Sequence, residues 1–259
     1  NVEYFDEWKD TEIVEDLIEY LDDVLEYFIQ NAPFQLEKAI YSAKHERSLG
    51  LGTMGFHSYL QRNNLPFESI YAVSANRKIY STIKEKAVAA TKKLAQRKGE
   101  YLDGINSGRR NSHLLAIAPN ANSAIILNTS PSIEPWKSNA FTYRTRAGSF
   151  LQKNKYLFKL LKSKIKDDSI LQDIEQSIIL NQGSVKHLDC LNKLEKEIFK
   201  TAFEIDQRWI VELGADRTPH ISQAQSVNIF VPADIHKKAL HDIHFQAWKK
   251  GLKSLYYCR

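Results

Sequence analysis

Cysteine is nearly absent from this sequence: the 259 residues hold two, Cys190 and Cys258. Two cysteines build neither a disulfide framework nor a Cys-rich zinc module, and they point to a reducing, cytoplasmic setting. No apolar run approaches the length of a membrane span, and no signal pattern opens the chain, so neither a secreted nor an embedded protein is expected. Without a secretory signal, Asn128-Thr129-Ser130 is local structure rather than a glycosylation site. The first residue is Asn1 rather than Met, which fits a processed, trimmed or split polypeptide. Also missing are a G-x-S-x-G elbow, a Walker A sequence, a Cys-x-x-Cys pair, internal repeats and low-complexity tracts. Charge of one sign does not dominate either: the net charge is +5, and most basic residues alternate with acids, as across Lys84-Glu85-Lys86. One denser run, Lys153, Lys155, Lys159, Lys162, Lys164 and Lys166, has few aromatics and no recognition motif beside it, so direct nucleic-acid binding is not expected.

What is present is an ordinary globular composition, 43% hydrophobic and 26% charged, in a chain long enough for one large domain or two. Residues 11–29 set Ile13, Leu17, Leu21, Val24 and Phe28 at helical spacing, predicting an amphipathic helix packed through that face and capped by Asp10 or Thr11. A shorter helix over 34–46 precedes a small-residue strand and turn at 49–56. Residues 74–98 read as a long helix capped by Ser74 and stopped at Gly99, with Ile79, Ile83, Ala87, Ala90 and Leu94 on one face. Residues 139–145 alternate loosely as another strand. Lysine-rich helices follow beyond 150, then a helix over 191–213 with Gly214 as its stop, a short strand at 227–231, and a last helix from Asp234 to Gly251. The division is expected near 148–155, separating 1–150 from a mainly helical 151–259.

The chain is organised around residues 114–135. Leu114-Leu115-Ala116-Ile117-Ala118 is an unbroken apolar run ended by Pro119, a short strand buried on both faces. Asn120 and Asn122 are good N-cap residues for a short helix beyond it. Strand, tight turn and helix N-terminus leave unpaired N–H groups pointing outward, an arrangement that favours an anion such as a phosphate, although every strand-to-helix connection has such a turn. Strand, helix, strand is then the order from 49 to 118, the unit of a parallel sheet.

Two patterns compete for attention. Gly50, Gly52 and Gly55 satisfy the dinucleotide fingerprint G-x-G-x-x-G, but the residues before Gly50 are charged and Glu68 is a poor ribose-binding acid. His236, His241 and His244 share helical spacing without an acidic or cysteine partner, so surface or core roles are expected and no metal.

Arg110-Asn111-Ser112-His113 before the apolar run, Ser132-Ile133-Glu134-Pro135 after it, and the ending Lys253-Ser254-Leu255-Tyr256-Tyr257 form an ordered set. With Arg47-Ser48-Leu49-Gly50-Leu51-Gly52 and residues 222–229, Ser-Gln-Ala-Gln-Ser-Val-Asn-Ile, the chain resembles the C-terminal part of the large, catalytic subunit of class I ribonucleotide reductase. The resemblance implies an α/β fold, the C-terminal half of a ten-stranded barrel with a mainly helical C-terminal region that helps dock a small radical-generating subunit. It implies that Tyr256 and Tyr257 relay a radical between that subunit and an active-site cysteine, Tyr256 lying beside the cysteine and Tyr257 facing the small subunit. It implies that the turn Pro119, Ala121 and Ser123, with Asn120 and Asn122 where hydroxyl residues are frequent, holds the substrate diphosphate through backbone N–H groups.

The family's radical cysteine in its N-x-C-x-E loop, its two reducible cysteines and its effector-binding regions lie N-terminal to the matching stretch. Its cysteine-bearing terminal tail is absent too. The expectation is therefore a chain inactive alone, which joins an N-terminal portion of the large subunit in a homodimer to reduce ribonucleoside diphosphates. Thioredoxin or glutaredoxin would supply electrons, and the dimetal centre would belong to the small subunit, leaving no cofactor in this chain. The competing classes are a nicotinamide-dependent oxidoreductase and a non-catalytic basic binding module.

Overall fold

The structure is a computed structural model and describes residues 1–146 and 148–259. Its frame is a set of four short extended stretches lying side by side in chain order. Leu51 bridges Leu115, Ile117 bridges Gln225, and Ile229 bridges Cys258, all parallel. The third stretch serves two neighbours because peptide groups along a strand turn alternately to its two edges. The Ala224 carbonyl and Ser226 amide face Ile117, whereas the Ile229 amide and carbonyl face Tyr257 and Arg259. Leu114, Leu115 and Ile117 are buried, as the apolar run predicts, and the strand-helix-strand order from 49 to 118 is present.

The helix joining the first two stretches is Ile70–Lys98, and its predicted face of Ile79, Ile83, Ala87, Ala90 and Leu94 is wholly buried. It starts earlier than its sequence suggests. Ser69, not Ser74, is the cap: its Oγ accepts the Ala72 amide at 3.1 Å while Ser74 lies exposed within the helix.

The Ile13–Asn31 helix exists, but it buries Val14, Ile18 and Asp22 and leaves Ile13, Leu17 and Val24 exposed. The expected face is therefore wrong at Ile13, Leu17 and Val24, while Leu21 packs against the core, and the cap differs too: Glu12 holds that position without a side-chain bond. The cause is electrostatic. Asp22 Oδ1 accepts Arg47 Nε at 2.9 Å and Asn111 Nδ2 at 2.8 Å, and Oδ2 accepts Arg110 Nε at 3.3 Å. A buried carboxylate needs such partners, and reaching them turns the acidic position inward.

The helix expected over 191–213 is two helices, Lys193–Ile198 and Gln207–Arg217. Each has its own start: Asn192 and Glu195 form a reciprocal capping box, and Asp206 accepts the Arg208 amide. Between them the Thr201 amide and hydroxyl both bond the Glu204 carboxylate, which holds the chain out of the helix. Gly214 does not stop the second helix; it lies inside it, close against Leu252 and Val227. The last helix is Lys237–Lys249, capped by His236 rather than Asp234.

The strand expected at 139–145 is Ala140–Thr145, paired antiparallel with Gly148–Lys153, so this hairpin straddles residue 150. Lys155–Lys164 and Asp168–Leu180 follow and enclose Leu157, Leu161, Ile178, Val185 and Ile198 in a core of their own. The main core draws on residues 2–133 and again on 202–230. Three lysines of the dense run, Lys153, Lys155 and Lys164, pair with Glu175, Glu3 and Glu195. Among the described residues, no helix is long and apolar enough to cross a membrane.

Candidate functional site

The turn after the second stretch leads into a single helical turn and a half, Ala121–Ile126, with Asn120 at its cap position. The Asn120 side chain does not cap that helix. Its Nδ2 donates to the Thr53 carbonyl at 3.0 Å, and its Oδ1 accepts the Ser132 amide at 2.6 Å. Asn120 therefore ties the turn backward to the first stretch and forward to Ser-Ile-Glu-Pro. Thr53 is itself held, its hydroxyl 2.8 Å from that of Tyr80. The Tyr80 ring lies 5.0 Å from the buried Arg217 guanidinium, which also stacks 5.3 Å from Phe56.

Pro119, Ala121, Asn122 and Ser123 are exposed, and among the described residues the Asn122 and Ser123 side chains make no hydrogen bond. The first helical N–H groups, uncapped, and the Ser123 hydroxyl are left to meet an anion. Two further hydroxyls flank the turn; both belong to segments that carry the family resemblance, but no site role was expected of them. Among the described residues Ser132 Oγ and Ser226 Oγ are buried without a partner, although their backbone amides bond Asn120 and Ile117.

Beyond the turn, Ser130 and Ser58 exchange hydrogen bonds, amide to hydroxyl in both directions, at 2.8 and 3.0 Å. The Trp136 amide donates to His57 Nδ1 at 2.9 Å. His57 is wholly buried, and the loss of hydration lowers its pKa to about 3, so the ring stays neutral and can accept that bond. Residues 129–136 are thereby fixed against the Phe56–Arg62 helix.

Tyr256 and Tyr257 open the fourth stretch. The Tyr256 amide bonds the Val227 carbonyl at 2.8 Å, and the Tyr257 carbonyl accepts the Ile229 amide at 2.9 Å. Their ring centroids are 4.1 Å apart at 49°, and both rings are about half exposed. They line a cleft with Trp248, His244 and Lys253. The Tyr256 phenol is held above its ordinary pKa, first by its hydrogen bond with Tyr257. Among the described residues no hydrogen bond or ring contact joins the tyrosines directly to the 119–123 turn; the third stretch lies between them.

The glycine pattern at 50–55 does other work. A Cβ on Gly52 would sit 2.8 Å from the Ala116 carbonyl oxygen, so this glycine permits close strand packing. His236 and His244 bond the Lys238 amide and Leu240 carbonyl, and His241 stacks on Phe245. Among the described residues, no group of three or more His, Cys, Asp or Glu is arranged to hold a metal ion.

The family model described as ribonucleotide reductase, barrel domain, matches residues 1–104 and 102–258. The chain belongs to the ribonucleotide reductase large-subunit family. The ribonucleoside-diphosphate reductase large subunit of Invertebrate iridescent virus 6 is 44% identical over all of this chain, which covers 27% of that protein. A putative large subunit of Frog virus 3 is 46% identical, again over the whole chain and 46% of its own length. Among solved structures, the class Id ribonucleotide reductase alpha subunit of Actinobacillus ureae superposes with a TM-score of 0.91 at 41% identity, over all of this chain and 48% of that one. The chain thus spans less than half the length of these relatives, and the parallel stretches are part of the reductase barrel. The nicotinamide alternative finds no support among them.

Proposed function

We propose that this chain is the part of a ribonucleoside-diphosphate reductase large subunit that carries the tyrosine relay and the substrate-diphosphate turn. The observation that carries this reading is the close, tilted Tyr256–Tyr257 ring pair, fixed by backbone bonds on the barrel frame that also carries the 119–123 turn. A phenol can lose an electron and a proton together, and rings 4.1 Å apart keep the hop between them short. The open N–H groups of the turn and the Ser123 hydroxyl suit a diphosphate, while Asn120 holds the turn in place from behind.

The remainder of the large subunit would supply the radical cysteine and the reducible cysteines, so the chain is inactive alone. Further partners in this reading are a second large subunit, a small radical-generating subunit carrying the dimetal centre, and thioredoxin or glutaredoxin as reductant. The test is Tyr256→Phe and Tyr257→Phe in the complete large subunit, assayed with its small subunit. Turnover of ribonucleoside diphosphates should vanish in both variants, while the melting temperature and nucleotide binding stay at the wild-type values. Normal turnover in Tyr256→Phe would overturn the assignment.

A further inference from the structure

We infer that Glu134 is a positioning residue for the tyrosine pair, acting through Asn228. The inference rests on the relay reading above. Val227 takes the Tyr256 amide, and the Tyr257 amide is left without a backbone acceptor where the fourth stretch begins. Asn228 Oδ1 fills that gap at 3.0 Å, and Asn228 Nδ2 donates to Glu134 Oε1 at 2.5 Å. Asn228 and Glu134 are 2% and 6% exposed, so water is a poor substitute for either partner.

An asparagine amide can face either way, and only its neighbours decide which. Glu134 Oε1 accepts from Asn228 Nδ2, which turns the NH2 group toward Glu134 and the oxygen toward Tyr257. Without it, the reversed amide would set two donors against each other at the Tyr257 backbone. Glu134 is also well anchored. Its amide bonds the Pro131 carbonyl at 2.9 Å, and its segment is fixed by Ser132 to Asn120 and by Ser130 to Ser58. The segment that steadies the substrate turn thus also sets the backbone from which the relay tyrosines project.

The experiment compares Glu134→Ala and Glu134→Gln in the complete large subunit. Hydrogen exchange at single amides is read together with kcat and KM in the reconstituted enzyme. In Glu134→Ala, exchange at the Tyr257 amide should rise about tenfold, the loss of about 1.4 kcal/mol of local protection, while the Ile229 and Arg259 amides keep wild-type rates. The kcat should fall by a similar factor with KM unchanged, and Glu134→Gln, whose amide oxygen still accepts, should restore most of both. If Glu134→Ala does not fold, Asn228→Ser breaks the same link from its other end and has to give the same split. Unchanged Tyr257 exchange, or an unchanged kcat in an enzyme that turns over, overturns the role of Glu134. A wild-type enzyme that fails to reduce ribonucleoside diphosphates overturns the relay reading itself, and with it any role for Glu134 in positioning a relay.

Discussion

Two side chains, the half-buried Asn120 and the wholly buried His57, set the residue-scale behaviour of the site. Asn120 bonds one carbonyl and one amide from distant segments, so Asn120→Ala leaves both without a partner. A loss of about 1–3 kcal/mol is expected in chemical denaturation and, if the turn holds the diphosphate as proposed, a raised KM for ribonucleoside diphosphate in the complete large subunit. His57 gives a pH signature. Its pKa lies at about 3 in the folded chain, below the ordinary 6.5 it regains on unfolding. The stability it contributes is complete above pH 6.5 and declines as the pH falls toward 3, since the unfolded chain then binds a proton that the folded one refuses. The decline approaches about 1.4 kcal/mol per pH unit, and denaturation curves of His57→Gln should be flatter over that window. The Asn120 position was legible in the sequence as a cap and as part of the turn. Its bonds were not, because Thr53 and Ser132 approach only in the folded chain. The link from Glu134 through Asn228 to Tyr257 is equally silent, joining residues 94 and 29 positions apart.

At the scale of elements, hydrophobic spacing was a good guide where one face alone was apolar. The Ile70–Lys98 helix is of that kind. It misled where both faces were. The Ile13–Asn31 helix has a regular stripe of Ile13, Leu17, Tyr20, Val24 and Tyr27, all exposed, beside the buried Val14 and Ile18. On the buried face Asp22 pairs with Arg47 and Arg110 beside the core residues Val14 and Ile18, and periodicity cannot register an ion cluster assembled from three segments. Apolar spacing also ran through the break at 199–206, which polar side chains impose. Caps can be checked singly. Ser69→Ala should cost about 1 kcal/mol in thermal or urea unfolding, whereas Ser74→Ala should cost almost nothing.

For the whole molecule, the exposed stripe on the Ile13–Asn31 helix gathers several large apolar side chains on one face, with Tyr20 and Tyr27 at 64% and 70% exposure. Contiguous apolar surface of this kind drives association. The 259-residue chain in isolation should self-associate with rising concentration in analytical ultracentrifugation, and Leu17→Lys with Val24→Lys should shift it toward monomer. An unchanged distribution for the double variant would assign the association to another surface. The barrel frame has a separate consequence, in the order of assembly. The Ile229–Cys258 bridge closes a short loop, but the Ile117–Gln225 bridge must wait for the whole intervening chain, and long closures are slow. The core enclosed within residues 140–199 shortens that wait, because a region that condenses on its own draws its two ends together before the central strands meet. Mutations in that outlying core, such as Leu161→Ala, would then delay formation of a barrel they do not touch.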